Sequence, residues 1–396
     1  MLSLKNARQQ WAARQLQNAP FDTVPGGWSR SLGGVDPYLA LHARCGCSRA
    51  DVDAALADGR LWVVPGVRGC IWLVPAADMP LALAVSEAQA KKGMLRELNK
   101  LGCDEQTVRA LAEAAHAHLS THGPMTPVAL GTALPQVVRF GDAGRKAGVT
   151  SNLPGALRLL EWSGRVRRRA KGGVLDTQAY SWEACALALD GPTEPVEQAI
   201  ALLDRFLDWA APASLAEFVA WSRLGKTVAR QAVEALSPEQ VEVEGLGPCL
   251  TRAPAPAVQG TFLLPAQDNL QSLRLNPGLL VDPLYHQVEV HTMGKLTATI
   301  GASKWIFQRL LVRDGEIVGL WAWDAVPGQV VADEFAPRSP GDARFADEVE
   351  PKMKTMADFI THQLGGRAKA VSIDSDAAQR RRVELVRSLR APPQTG

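Results

Sequence analysis

Arg165, Arg167, Arg168, Arg169 and Lys171 place five cations within seven residues, with no acid among them. Such a run suits a phosphate backbone, where each neutralised phosphate releases condensed counterions. If the run is a strand, Arg165, Arg167 and Arg169 share one face and Arg168 takes the other. Charge that protects a solvated edge strand is the competing reading. Arg380, Arg381 and Arg382 form a second, weaker basic run, because charged helix ends are commonplace. Gly225-Lys226-Thr227 ends like a phosphate loop, but the glycine required five residues earlier is Ala220, and the segment before it reads as helix where a strand is needed. No nucleotide cofactor is therefore expected. The six cysteines (Cys45, Cys47, Cys70, Cys103, Cys185, Cys249) are scattered, with no second pair at zinc-ligand spacing beside Cys45 and Cys47. They read as small buried hydrophobes of a reducing compartment. His118 and His122 share a helix face, but Gly123-Pro124 ends that helix and no third ligand is near. No metal site and no cofactor are expected.

These side chains need a scaffold, and 396 residues allow two or three domains. A net charge of +2, from 43 basic against 41 acidic residues, excludes a histone-like polycation and an acidic disordered chain. Any affinity for DNA must then come from local patches. No stretch approaches the roughly 20 apolar residues of a membrane span. The opening residues, with Lys5, Arg8, Gln9, Gln10 and Trp11, lack the apolar core of a signal peptide. The expectation is a soluble cytoplasmic protein with no membrane partner, nucleoid-associated when bound to DNA.

The strongest organisational signal is an order of elements repeated three times: helices, a short final helix, then two strands joined by a tight turn. That is the winged-helix plan, whose last helix can enter a major groove beside its wing. The first copy covers 1–80. It has an opening helix over 4–16, a helix started by Asp36-Pro37, a third started by the capping pair Ser48 and Asp51, and strands at 61–64 and 70–74. The second covers 104–186; its third helix, 152–162, lines up Leu153, Leu157 and Leu160 and turns Arg158 elsewhere, and the arginine run is its wing. Gly141, Gly144 and Gly148 are spaced like a flexible loop, which with Arg145 and Lys146 would sit beside that helix. The third covers 193–253, with Ser214 and Glu217 as another capping box. From 258 to 336 the pattern alternates with period two, with turns at Asn276-Pro277-Gly278, Met293-Gly294-Lys295 and Asp314-Gly315, and reads as a compact β domain. Helices return over 349–390. The fold class is thus α+β: three tandem winged-helix domains, a small β-barrel-like domain and C-terminal helices. Nothing reads as a coiled coil, so a monomer is expected.

In that order, the segments 263–270 (Leu-Leu-Pro-Ala-Gln-Asp-Asn-Leu) and 314–321 (Asp-Gly-Glu-Ile-Val-Gly-Leu-Trp) resemble the AlkZ/YcaQ family of DNA glycosylases. The opening residues 2–8 and the segment 68–75 are similar to that family's first helix and first wing. The resemblance covers nearly the whole chain; its motifs are individually loose, and their order is specific. It implies hydrolysis of the bond between sugar and an alkylated purine, crosslinked purines included, in double-stranded DNA. A purine alkylated at N7 is cationic and already a good leaving group, so such an enzyme needs mainly to steady an oxocarbenium-like sugar and position water. Bulky lesions argue against obligatory flipping into a tight pocket.

Family members carry Gln-x-Gln or Gln-x-Asp before the second helix of the first winged domain, and here the loop reads Leu32-Gly33-Gly34-Val35-Asp36-Pro37. Aligned on Asp-Pro, Asp36 matches the aspartate and Gly34 stands where the glutamine belongs; a shifted alignment leaves neither. Asp36 is the catalytic candidate, although Asp-Pro is also what a helix start favours, and the two roles are compatible. Tyr38 and His42, one turn apart, are candidates for the same cleft; His42 also reads as a structural histidine. Gln267 and Asp268 either line the site or pin a turn. Arg145, Lys146, Arg158, Arg165, Arg167, Arg168, Arg169 and Lys171 are the DNA-binding candidates, with Lys295 at a hairpin tip that either probes a groove or is an inert turn. The alternative on the same scaffold is a catalytically silent lesion reader or transcription regulator. A glutamine near Asp36, such as Gln9, Gln10 or Gln267, would favour the enzyme; a loop closed over by apolar residues would favour the silent protein.

Overall fold

The computed structural model describes residues 1–292, 297–336 and 343–389. Ser3 accepts a hydrogen bond from the Asn6 amide and so starts α1 (Leu4–Gln15). A short strand β1 (Ser29–Arg30) precedes α2 (Asp36–Cys45) and α3 (Arg49–Asp58). The Ser48–Asp51 capping box begins α3, and Gly59, in the left-handed region at φ 84°, ends it. Strands β2 (Leu61–Pro65) and β3 (Ile71–Pro75) then form a hairpin, and β1 joins it in the order β1-β3-β2.

The sequence pattern assigns nothing between 80 and 104, yet α4 (Met79–Lys100) fills that gap with 22 residues. Its Leu81, Ala82 and Val85 pack with Leu202, Leu203 and Phe206 of the third unit, so this helix ties the units together. The second unit has α5 (Glu105–His122), α6 (Pro127–Ala133), α7 (Gly141–Ala147) and α8 (Leu153–Trp162), then the hairpin of β4 (Val166–Ala170) and β5 (Tyr180–Ala184). The segment read as a flexible glycine loop is therefore the short helix α7: Gly144 packs against the Val149 carbonyl, where a Cβ would come within 2.3 Å, and Gly148 closes the helix at φ 72°. The third unit repeats the order with α9 (Pro195–Ala210), α10 (Leu215–Ser222), α11 (Lys226–Leu236), β6 (Glu239–Val243) and β7 (Gly247–Thr251). The second capping box, Ser214 with Glu217, is formed.

The remaining strands are β8 (Thr261–Leu264), β9 (Glu289–His291), β10 (Thr297–Thr299), β11 (Arg309–Arg313), β12 (Glu316–Asp324) and β13 (Gln329–Glu334), with a single helical turn α12 (Asn269–Ser272) after β8. Four of them make an antiparallel sheet in the order β13-β12-β11-β8, so among the described residues this sheet is open, with β8 and β13 as edges, and not barrel-like. Asp314 and Gly315, at φ 50° and 87°, form the tight β11–β12 turn whose twist matches the flanking strands. Helices α13 (Ala343–Glu348), α14 (Glu350–Asp358), which continues as a π turn over Phe359–Gln363, and α15 (Asp376–Ser388) complete the chain. Among the described residues no helix is long and apolar enough to cross a membrane.

Period-two alternation gives the sheet two buried faces. Leu263, Leu311, Trp321 and Trp323 face Tyr38, Leu39, Met356 and Phe359, which belong to α2, α14 and the π turn. Leu264, Leu310, Leu320 and Ala322 face Ala7, Trp11, Val383 and Val386 of α1 and α15. The first unit thus straddles the C-terminal sheet, one helix on each face. That arrangement brings the start of α2 against β11.

Candidate active site and the surrounding cations

Helix α2 begins at Asp36 itself, with Val35 as the flanking residue and no side-chain cap. The expected capping role is absent, and the carboxylate is free for another. Its Oδ2 accepts a hydrogen bond from the Gln267 backbone amide at 3.2 Å, and its Oδ1 has no hydrogen-bond partner. Arg309, from the start of β11, places Nη2 3.8 Å from Oδ1 and donates to the Ala368 carbonyl at 2.5 Å. Asp36 is only 3% exposed, and this burial pushes its carboxyl up to about 6, against the opposing pull of Arg309 and the Gln267 amide. The Gln267 side-chain carbonyl is also buried and unpartnered.

The segment 368–374, between the π turn and α15, lies across this loop. The Val35 amide donates to Lys369 O at 2.8 Å, and the Ser372 amide donates to Leu32 O at 3.0 Å. A Cβ on Gly34 would come within 2.1 Å of Ala370 O, so a glutamine at this position is incompatible with the covering segment. Ala370 and Val371 pack with Leu32, Ala266, Trp305 and Phe307. Asp374 pairs with Arg382 of α15, and both charges act on Asp36. Both sequence criteria are therefore met at once: a glutamine stands beside Asp36, and apolar side chains close the loop.

The other cleft candidates point elsewhere. Positions 36 and 38 are about 200° apart around a helix, whereas 38 and 42 nearly coincide. Tyr38 accordingly donates to Asp53 of α3 and accepts from the Leu175 amide at 2.9 Å, while Arg49 lies over its ring. Burial and the Asp53 carboxylate push its hydroxyl far above its usual range. His42 stacks on Phe359 at 3.9 Å with Nδ1 3.0 Å from Cys47 O, and burial pulls it down. Both serve packing, and the expectation that they share a cleft with Asp36 gives way to this geometry. Asp268 starts α12 by accepting from the Leu270 amide, and its two oxygens each take 2.8 Å bonds from Arg44. It is a buried structural pair, the turn-pinning role in a stronger form. The cavity beside Gln267 and Asp268 holds about 10 Å³, on the scale of one water.

The arginine run forms β4, and its alternation holds. Arg167 and Arg169 flank Glu183 across the hairpin at 2.8 and 3.5 Å. Arg165 grips Glu113 at 2.5 Å. Arg168 turns inward to Glu161 at 2.6 Å, with their side chains 7% and 3% exposed and Tyr180 and Trp182 against the guanidinium. Arg168 is therefore not available as a DNA contact, contrary to the expectation, because it is enclosed with its counter-charge. Arg158 lies 3.7 Å from the same Glu161, over Trp162. Arg145 pairs with Asp142 on α7, next to exposed Lys146. Lys171 is exposed at the hairpin turn and makes no ion pair among the described residues. Lys295 lies outside the described residues. A groove of about 170 Å³ runs between this hairpin and the first unit, lined by Asp53, Trp62, Arg167 and Arg169.

Arg309 beside Asp36, and Arg44 in the structural pair with Asp268, are buried arginines around the candidate site that the sequence does not single out. Each is an isolated arginine, and no local pattern distinguishes it from a surface one.

Residues 33–359 match the family described as DNA glycosylase AlkZ-like. The DNA glycosylase AlkZ of Streptomyces sahachiroi has a similar fold, with a TM-score of 0.67 and 19% identity over 92% of this chain and 98% of that one. No curated protein matches. With most of its length matched, the chain belongs to the AlkZ-like DNA glycosylase family.

Proposed function

We propose that the protein is a monomeric DNA-repair glycosylase that hydrolyses the N-glycosidic bond of N7-alkylated or crosslinked purines in double-stranded DNA. On this reading its three helix-and-hairpin units are winged helices over 1–80, 104–186 and 193–253, and it works on the chromosome in the cytoplasm. One observation carries the proposal: Asp36, which an alignment on Asp-Pro sets against the aspartate of the resembled motif, keeps a buried carboxylate oxygen with no hydrogen-bond partner. With its carboxyl at about 6, Asp36 is mostly ionised at neutral pH. It can then steady a positively charged sugar as the cationic purine departs, or align the water that attacks C1′. Arg309 and the Gln267 amide fix the carboxylate, and the free Gln267 carbonyl offers an acceptor beside it. Segment 368–374 must shift for a sugar to reach this group.

That covering segment is also the observation behind a second reading, a lesion reader without catalysis. Base release from duplex DNA carrying N7-methylguanine, and from a duplex with a bulkier N7 adduct, separates the two. Release by the wild type that is lost in Asp36→Asn, with DNA binding retained, supports the glycosylase. Tight binding without release from either substrate leaves the silent reader.

A further inference from the structure

The DNA-binding candidates of the second hairpin are largely neutralised by their own acids. A different set of arginines is not. Arg30 on β1 donates to the Cys70 thiol at 3.2 Å, and Cys70 ends the turn of the first hairpin, where Arg68 sits two residues earlier. The Arg68 amide donates to the Gln89 side chain at 2.8 Å, and the same Gln89 donates to Ser222 O at 2.7 Å. Arg223 follows Ser222 directly at the end of α10. This chain of bonds gathers arginines from three separate elements. Among the described residues none of the three pairs with a carboxylate. Partial burial first, and then the like charges of Arg30 and Arg223, pull the Arg68 guanidinium below its ordinary range.

Three further features belong to the same patch. Arg68 and Arg223 are exposed and hold left-handed backbone conformations, φ 65° and 59°, where glycine would sit without strain. The Arg30 guanidinium lies between Trp72 and Trp305, at 5.9 and 5.7 Å from their centroids, so its plane is fixed. Buried Nε of Arg30 and Nε1 of Trp305 are donors with no acceptor. Like charges with no carboxylate partner among the described residues, and with unpartnered donors among them, suit an anion. Arg30 also immediately precedes the loop that carries Asp36, and Trp305 packs in the cluster that closes that loop.

We propose that Arg30, Arg68 and Arg223 form the phosphate-binding surface that holds the DNA backbone against the Asp36 loop, in place of the arginine-rich second hairpin. This rests on the reading of the protein as a DNA-binding enzyme. Phosphates seated here would set the duplex beside the covering segment, where a lesion could reach Asp36 once that segment moves.

The test is the salt dependence of duplex binding, measured by fluorescence anisotropy for the wild type, Arg68→Gly/Arg223→Gly, Arg30→Gln and Arg167→Ala/Arg169→Ala. Glycine at 68 and 223 removes the cations while relieving the backbone, so the fold is preserved, which thermal melting checks. Loss of two phosphate contacts should lower the slope of log K against log salt by about 2 and weaken binding roughly tenfold or more near 0.1 M salt. Arg30→Gln should lower the slope by about 1, and the hairpin variant by well under 1. A wild type that binds while Arg68→Gly/Arg223→Gly matches its affinity and slope overturns the proposal and leaves DNA binding intact. A wild type without duplex affinity removes the DNA-binding reading and this surface together.

Discussion

The second hairpin and the patch at Arg30, Arg68 and Arg223 put the same residue type to opposite uses. In the hairpin, each arginine of β4 faces an acid supplied by the fold: Glu161 beneath Arg168, and Glu183 between Arg167 and Arg169. In the patch, arginines from three elements are linked by a chain of hydrogen bonds, and none of them pairs with a carboxylate among the described residues. A cation count measures the first region as the more basic. The field felt by a phosphate depends on charges left over after pairing, and by that measure the order reverses.

The largest effect that sharpens this contrast is on stability. Arg168→Ala leaves buried Glu161 with only the more distant Arg158, and breaking a buried pair costs about 3–5 kcal/mol. Urea unfolding should show that loss. Arg68→Gly, at an exposed and unpaired site, should leave the unfolding midpoint unchanged or slightly higher. If both variants unfold alike, the division into structural and available arginines fails.

The difference between the regions explains what the sequence disclosed. The helices and hairpin strands, both capping boxes, the arginine strand and its two faces are local patterns, and the structure forms each of these elements. The acids opposing those arginines come from other positions, Glu113 on α5 and Glu161 on α8, and no local pattern pairs them. Asp36 was legible through its place before Pro37, but its partners Arg309 and Gln267 arrive from residues more than two hundred positions away. The open sheet is not legible in the sequence, because alternation shows that strands exist without saying whether the edges meet. Tyr38 and His42 are close to Asp36 in sequence, but helix geometry turns both away from it.

Asp36 supplies the next largest effect, since it lies between the two cases, buried yet only loosely paired. Its carboxyl rises from an ordinary 3.8 to about 6 in the folded protein, which corresponds to roughly 3 kcal/mol held against the ionised form at neutral pH. The folded state binds the proton more tightly than the unfolded chain. Wild-type stability relative to Asp36→Asn therefore rises as pH falls through 6 toward 4. Asp36→Asn should melt higher than the wild type at pH 7.5, and the gap should close toward pH 4. Base release by the wild type should decline below about pH 6 as the carboxylate is protonated. A variant that melts lower than the wild type at pH 7.5 would show that Arg309 depends on this carboxylate, placing Asp36 with the structural pairs.

The smallest effect asks whether pairing alone silences the second hairpin. Glu183 touches both Arg167 and Arg169, which are partly exposed beside the groove at Trp62. Removing its charge in Glu183→Gln leaves the backbone and both arginines in place. If neutralisation is what withholds them from DNA, duplex affinity should rise about two- to threefold at low salt and the salt slope should steepen by a fraction of a unit. The gain should survive in the Arg68→Gly/Arg223→Gly background, because the two surfaces would act additively. An unchanged slope would show that the hairpin stands clear of the duplex whatever its charge. The contrast would then be one of position, with pairing a consequence of where those arginines lie.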